Sequence, residues 1–227
     1  MSTGRRTFEV EGRVATLYRG EREGSPLVVL NNYSGDGSSV FKAMRDIDTP
    51  DCNLLVVGEL RWDHDMTPWF CPPLSKGDTP CTGGAGDYLE TLLHGIIPQA
   101  LERIAGEPAY TAIAGYSLAG LFALWSMYNC DAFARVASMS GSLWFPDFVE
   151  YATAREMVRV PERLYLSLGD AEAKTRNRVL CTVRERTEAL VEHYRKQGLD
   201  IAYELNPGNH FKDPALRSAK GIKAILA

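Results

Sequence analysis

The chain has little of what would place it in several large protein classes. Five cysteines in 227 residues is an odd number, which excludes a complete disulfide framework. No cysteine pair has zinc-finger spacing with a histidine at a ligand interval, so no metal is expected. Positive charge is not in excess: 25 Lys and Arg face 29 Asp and Glu, for a net charge of −4. Without a basic footprint, nucleic acid is not an expected partner. No apolar run reaches membrane-spanning length, so no membrane partner is expected either. Arg5 and Arg6 are followed by Thr-Phe-Glu-Val-Glu-Gly-Arg, which is not an apolar signal core, and the expectation is a cytoplasmic protein. In a reducing compartment its thiols should be free. Cys52, Cys130 and Cys181 read as buried small hydrophobes, whereas Cys71 and Cys81 share one loop. Histidine is scarce, with four in the chain.

What is present is an alternation of short apolar runs with amphipathic stretches. Residues 7–11 and 13–19 flank Gly12 as an edge hairpin. Strands are expected at 26–31, 54–59, 110–114, 134–139, 163–168 and 201–205. Helices are expected at 39–47, 88–104 (with Asp87 as cap and Pro98 as an awkward interior residue), 118–128, 147–158, 175–197 and from about 214. The stretch 61–86 reads as a long irregular loop, a length that in a compact domain usually means function or mobility. The alternation implies one α/β domain whose mainly parallel sheet is covered on both faces, with an antiparallel hairpin at the start. In such sheets the loops at the carboxyl ends of the strands carry the chemistry. Most of the polar loops here follow strands and should share one face.

The strand 110–114 passes through Gly115-Tyr-Ser-Leu-Ala-Gly120 into a helix apolar nearly all round. A strand that becomes a helix within two residues must bend sharply, and small residues two positions either side of the turn let the backbones approach. That is the geometry of a nucleophile elbow, with Ser117 strained and exposed at the end of the sheet. The usual last glycine is Ala119 here, a departure of one methyl group. The bland alternative is a serine that only caps a buried helix.

A serine needs a base to take its proton. His210 lies in a Gly/Pro/Asn-rich loop after the last strand, where the chain order Ser, acid, His requires it. His64 is a secondary candidate for lining the pocket; His94 and His193 read as ordinary helix residues. Two carboxylates follow strand 163–168. Glu172 is favoured as the acid, with Asp170 as the alternative and a dyad without any acid as a third arrangement. The backbone N–H of Leu118 is the first oxyanion donor expected. The second should come from the loop after strand 26–31, at Tyr33, with Asn32 next. Asn32, Trp62, Asp65, Trp69 and Trp144 are the expected substrate contacts, with Phe70, Phe145, Arg61 and Asp63 beside them.

Gly115-Tyr-Ser-Leu-Ala-Gly-Leu, Ser140-Gly-Ser-Leu-Trp, Ser167-Leu-Gly-Asp-Ala-Glu-Ala-Lys-Thr-Arg-Asn and Gly208-Asn-His resemble the Putative esterase branch of the α/β hydrolases, which holds enterochelin-esterase-like and feruloyl-esterase-like enzymes. Asp65-Met-Thr-Pro-Trp69 and Gly83-Gly84 resemble it too, and the likeness runs from about Pro26 onwards. The resemblance implies an α/β-hydrolase fold and a serine hydrolase acting on a small-molecule carboxylic ester, with no metal or organic cofactor. A thioesterase or acyltransferase would use the same residues, and a non-catalytic binding protein could keep the fold. The chain departs from the family pattern at Ala119 and lacks the His-Gly pair after strand 26–31. A thiol redox role for Cys71 and Cys81 is disfavoured by their ten-residue spacing.

Overall fold

The computed structural model describes residues 4–227. Eight strands form one sheet in the order β1-β2-β4-β3-β7-β8-β9-β10. β1 (Arg6–Val10) and β2 (Arg13–Tyr18) are the expected hairpin. β2 runs antiparallel to β4 (Asn53–Gly58). All later neighbours are parallel: β3 (Leu27–Asn31), β7 (Thr111–Tyr116), β8 (Arg135–Met139), β9 (Arg163–Gly169) and β10 (Ile201–Asn206). The central strands are buried on both faces, which is why they read as unbroken apolar runs.

Side chains alternate across the sheet and feed two cores. Val28, Leu30, Leu54, Val56 and Ala114 meet α1 (Ser38–Asp46) and α8 (Pro214–Leu226) through Val40, Met44, Ala219, Ile222 and Ile225. On the other face Leu27, Val29, Leu55, Ile113 and Val136 meet α3 (Ala85–Thr91), α4 (Ile97–Leu101), α5 (Leu118–Ser126), α6 (Phe148–Thr153) and α7 (Val183–Lys196). Every residue of α5 is buried, as its all-round apolar sequence requires. No helix among the described residues is long and apolar enough to cross a membrane.

Several elements depart from the sequence expectation. The stretch 61–86 is not wholly irregular. It holds α2 (Trp62–Asp65) and a two-stranded ladder of β5 (Phe70–Cys71) and β6 (Cys81–Thr82). The helix expected at 88–104 begins at Ala85, with Asp87 inside its first turn, and ends at Leu101. Leu92–Ile96 widen into a π turn just before Pro98. Proline has no N–H and its ring clashes with the carbonyl four residues back, so the ladder there shifts to wider spacing. α6 stops at Thr153. α7 starts only at Val183, after a short 3₁₀ turn at Leu180–Thr182, because the Asn177 amide oxygen captures the N–H groups of Val179 and Leu180. Cys181 is therefore exposed and Cys130 half-buried; of the three cysteines expected inside, Cys52 alone is fully buried.

Gly115 carries the sharp bend. A Cβ there would lie 2.1 Å from the Ala119 carbonyl oxygen and 2.8 Å from the Ala119 methyl. The clash is with backbone, which cannot swing away. Gly115→Ala is expected to destabilise the fold by about 3 kcal/mol, the upper end for overpacking, read by thermal denaturation. Unchanged stability would show that the elbow is looser than this contact implies.

Candidate active site

The strand β7 delivers Ser117 to the carboxyl edge of the sheet, and α5 starts one residue later. Ser117 has φ 60° and ψ −125°, a backbone conformation costly for any residue with a side chain. Neighbouring hydrogen bonds hold it: its N–H donates to Met139 O at 3.1 Å, and its carbonyl accepts from Gly120, Leu121 and Ser142. Its hydroxyl faces His210 Nε2 at 3.0 Å and Ser142 Oγ at 3.3 Å.

His210 sits four residues past β10. The Tyr116 hydroxyl donates to its carbonyl at 2.7 Å, and its ring packs against Tyr116 and Phe211. Its Nδ1 lies 2.7 Å from Glu172 Oε2. The other oxygen, Glu172 Oε1, accepts from Gly169 N–H at 2.6 Å, Ser140 Oγ at 2.7 Å and Arg217 Nη1 at 3.1 Å. Burial pushes the Glu172 pKa up, but the hydrogen bonds from His210, Ser140 and Gly169 outweigh it and hold the carboxyl below the usual glutamate value. Asp170 points elsewhere: its Oδ1 accepts the Gly208 N–H at 2.8 Å, tying the β9 loop to the His210 loop.

Two cavities open on Ser117 and His210, and both are lined by the 83% exposed Phe211. The smaller, about 310 Å³, is walled by Trp144, Leu180, Val183 and Lys174. The larger, about 720 Å³, is walled by Asn32, Tyr33, Trp62, Asp63 and Asp78. Tyr33 meets Trp62 edge-on, with ring centroids 5.1 Å apart. The Leu118 and Tyr33 N–H groups, the expected oxyanion donors, have no acceptor among the described residues.

Two expected substrate contacts lie outside both cavities. Asp65 is fully buried, bonded to the guanidinium groups of Arg13 and Arg61 and to the Arg61 N–H. Its place in the irregular stretch 61–86 suggested a substrate contact, but α2 turns it inward onto an arginine 52 positions earlier. Trp69 packs against Phe145 and Tyr151 and donates its indole N–H to Pro146 O at 3.0 Å. Phe145 is core and Phe70 faces solvent. His64 contacts Thr82 Oγ1, His94 pairs with Glu90 on the surface, and His193 packs on Tyr194. Breaking a buried ion pair leaves an uncompensated charge, so Asp65→Ala is expected to lower stability by about 3–5 kcal/mol. Its KM for a small ester should stay unchanged below the melting transition; a raised KM would return Asp65 to the site.

Cys71 and Cys81 face each other across the β5–β6 ladder, and burial pushes the Cys81 thiol up to about 12. A thiol so hard to ionise is a poor nucleophile. No cluster of three His, Cys, Asp or Glu arranged to hold a metal occurs among the described residues. Sequence reasoning missed Ser142, Tyr116 as a brace for the His210 loop, and Arg217. The signal for Arg217 was present: it falls on the apolar stripe of α8, with Ser218, Gly221, Ile222 and Ile225.

A mostly parallel sheet with a strained serine at the strand-to-helix turn, hydrogen-bonded to a histidine after the last strand, defines the α/β-hydrolase class of serine hydrolases. Residues 63–212 match the model of the family described as Putative esterase, and the chain belongs to that family. It is a carboxylic ester hydrolase of the serine esterase kind. The uncharacterized protein YbbA of Bacillus subtilis (strain 168) is 25% identical over 177 residues, covering 73% of this chain and 71% of that one. An IroE-like serine hydrolase from Shewanella oneidensis superposes with a TM-score of 0.79 at 18% identity, over 96% of this chain and 78% of the other. The siderophore hydrolase EstB from Aspergillus nidulans gives a TM-score of 0.73 at 17% identity, over 98% and 94%.

Proposed function

We propose that the protein cleaves small-molecule carboxylic esters through an acyl-enzyme on Ser117, with His210 as general base and Glu172 as the acid that orients it. The observation that carries this reading is the unbroken chain Ser117 Oγ to His210 Nε2 at 3.0 Å and His210 Nδ1 to Glu172 Oε2 at 2.7 Å, opening on both cavities. As Ser117 Oγ attacks the ester carbon, its proton passes to His210 Nε2. The carbonyl oxygen becomes an oxyanion facing the free N–H groups of Leu118 and Tyr33. Collapse breaks the ester C–O bond, and the alkoxide leaves with the proton from His210. Water, deprotonated by the same imidazole, then releases the acid and restores Ser117. The two cavities hold the two arms of the ester, with Trp144 on one side and Asn32 and Trp62 on the other. Among esters, siderophore esters are the first to test, since EstB is described as a siderophore hydrolase.

The test is labelling by an alkyl fluorophosphonate, read by peptide mass spectrometry, beside hydrolysis of a short p-nitrophenyl ester. A stoichiometric adduct on the Ser117 peptide, abolished in His210→Ala, is the expected result. Folded protein that gives neither adduct nor hydrolysis would overturn the proposal.

A further inference from the structure

Arg217 is among the largest fully buried side chains of the protein, and nothing in the acyl-transfer scheme above uses it. Its guanidinium reaches every strand-end loop around the His210–Glu172 pair. Nη1 donates to Glu172 Oε1 at 3.1 Å, Ser140 Oγ at 3.1 Å and Tyr116 Oη at 3.3 Å; Nη2 donates to Pro207 O at 3.0 Å, three residues before His210. Glu172 is its one carboxylate partner within ion-pair distance among the described residues, and the two side chains are 2% and 3% exposed. The space for this pair is made by Gly169: a Cβ there would lie 2.3 Å from Gly208 O, 2.9 Å from Glu172 Oε1 and 3.0 Å from Arg217 Nη1.

We propose that Arg217 is the positioning residue of the His210–Glu172 couple: it pins Glu172 Oε1 so that Oε2 faces His210, and its buried charge sets the pH range in which His210 serves as base. This rests on the acyl-transfer reading of the site. The physical reason is charge counting. With His210 neutral, Glu172 and Arg217 cancel; when His210 takes the Ser117 proton, the cluster carries +1. Without Arg217 the same step would run from −1 to 0. Arg217 therefore opposes retention of the proton on the imidazole and favours its delivery to the leaving alkoxide, while its Nη1 donor on Oε1 keeps the carboxylate ionised and aimed.

The other charged or titratable groups near the couple are poorly placed to do this. Asp170 is engaged with the Gly208 N–H, Lys212 pairs with Asp213 in solvent, and Glu204 on β10, which also feels the Arg217 charge, is neutralised by Lys220 at 2.6 Å. Lys174 lines the rim of the smaller cavity. The phenols of Tyr116 on β7 and Tyr203 on β10 are raised by burial and stay neutral.

The experiment is kcat and KM for a p-nitrophenyl ester across pH, in wild type, Arg217→Gln, Arg217→Lys and Arg217→citrulline. Citrulline keeps the planar shape of arginine and three of its five N–H donors without its charge, so it keeps the question answerable where Arg217→Gln fails to fold. For the two uncharged variants the acid limb of kcat/KM should move up by about one pH unit. In them kcat should fall about tenfold at constant KM. Arg217→Lys should keep the limb where wild type has it, because the charge remains. A brace without electrostatic effect would lower kcat and leave the limb in place, and that result in folded citrulline protein overturns the inference. The same limb shift in Arg217→Lys as in the uncharged variants would also overturn it. Wild type that neither hydrolyses the ester nor is labelled at Ser117 would instead remove the acyl-transfer reading, and this inference with it.

Discussion

Ser117→Ala and His210→Ala are each expected to lose about 10⁴-fold or more in kcat, with the fold intact, and the double variant to lose no more than either alone. The serine is inert without a base, and the base has no proton to take without the serine, so the two act as one unit and their losses do not add. The Ser117 hydroxyl makes two contacts, to His210 at 3.0 Å and Ser142 at 3.3 Å, neither of which holds the bend. The bend is held by backbone bonds to Met139, Gly120, Leu121 and Ser142, which alanine keeps. Stability should therefore stay within about 1 kcal/mol of wild type, a small change for a site substitution. The measurement is kcat on a p-nitrophenyl ester with circular dichroism alongside. Wild-type activity in either single variant would sink the Ser117–His210 assignment. A double variant much worse than the singles would show that the two residues act separately.

Glu172→Gln should cost about 10³ to 10⁴-fold in kcat, against less than about threefold for Asp170→Asn. Glutamine keeps the shape of glutamate but can donate to His210 Nδ1, which places the imidazole proton on Nε2, where the lone pair is needed. It also leaves the Arg217 charge buried without its partner, so a loss of about 3–5 kcal/mol in stability is expected at neutral pH. The pH dependence has a definite sign. The Glu172 carboxyl is held below its ordinary value in the folded protein, so its contribution is fully present above the unfolded glutamate pKa of about 4.3 and is lost as pH falls through the depressed folded value. The gap in Tm between wild type and Glu172→Gln should thus narrow on acidification from neutral to below about pH 4. Asp170→Asn keeps an oxygen acceptor for the Gly208 N–H and should resemble wild type in both respects. The opposite ranking of the two variants would transfer the acid's role to Asp170.

The elbow at Ser117 was legible because its requirements are local. A buried strand, a bend that tolerates no Cβ at Gly115 and an all-apolar helix are written in consecutive residues, and the Ala119 methyl is accommodated because Gly115 opposite it has no side chain. The helix ends were less legible. The start of α7 depends on one Asn177 side chain capturing N–H groups, and the π turn before Pro98 is a response to strain that periodicity does not display. Asp65 and Trp69 were misread because polar and aromatic residues in an irregular stretch look alike whether they face a pocket or a partner in the core.

By itself, the sequence determined the alternation of strands and helices, the parallel sheet covered on both faces, the bend that strains Ser117, and the order of serine, acid and histidine along the chain. These follow from spacing and turn chemistry between near neighbours, whose energies do not depend on the rest of the molecule. Only the tertiary structure decided which carboxylate faces His210, that Asp65 is closed inside against Arg13, that the cleft has two unequal arms, and that Arg217 stands behind Glu172. The three that pair charged groups depend on residues 38 to 52 positions apart meeting in a medium too apolar to leave a charge unpaired. That demand selects a partner by three-dimensional distance, which no local pattern encodes.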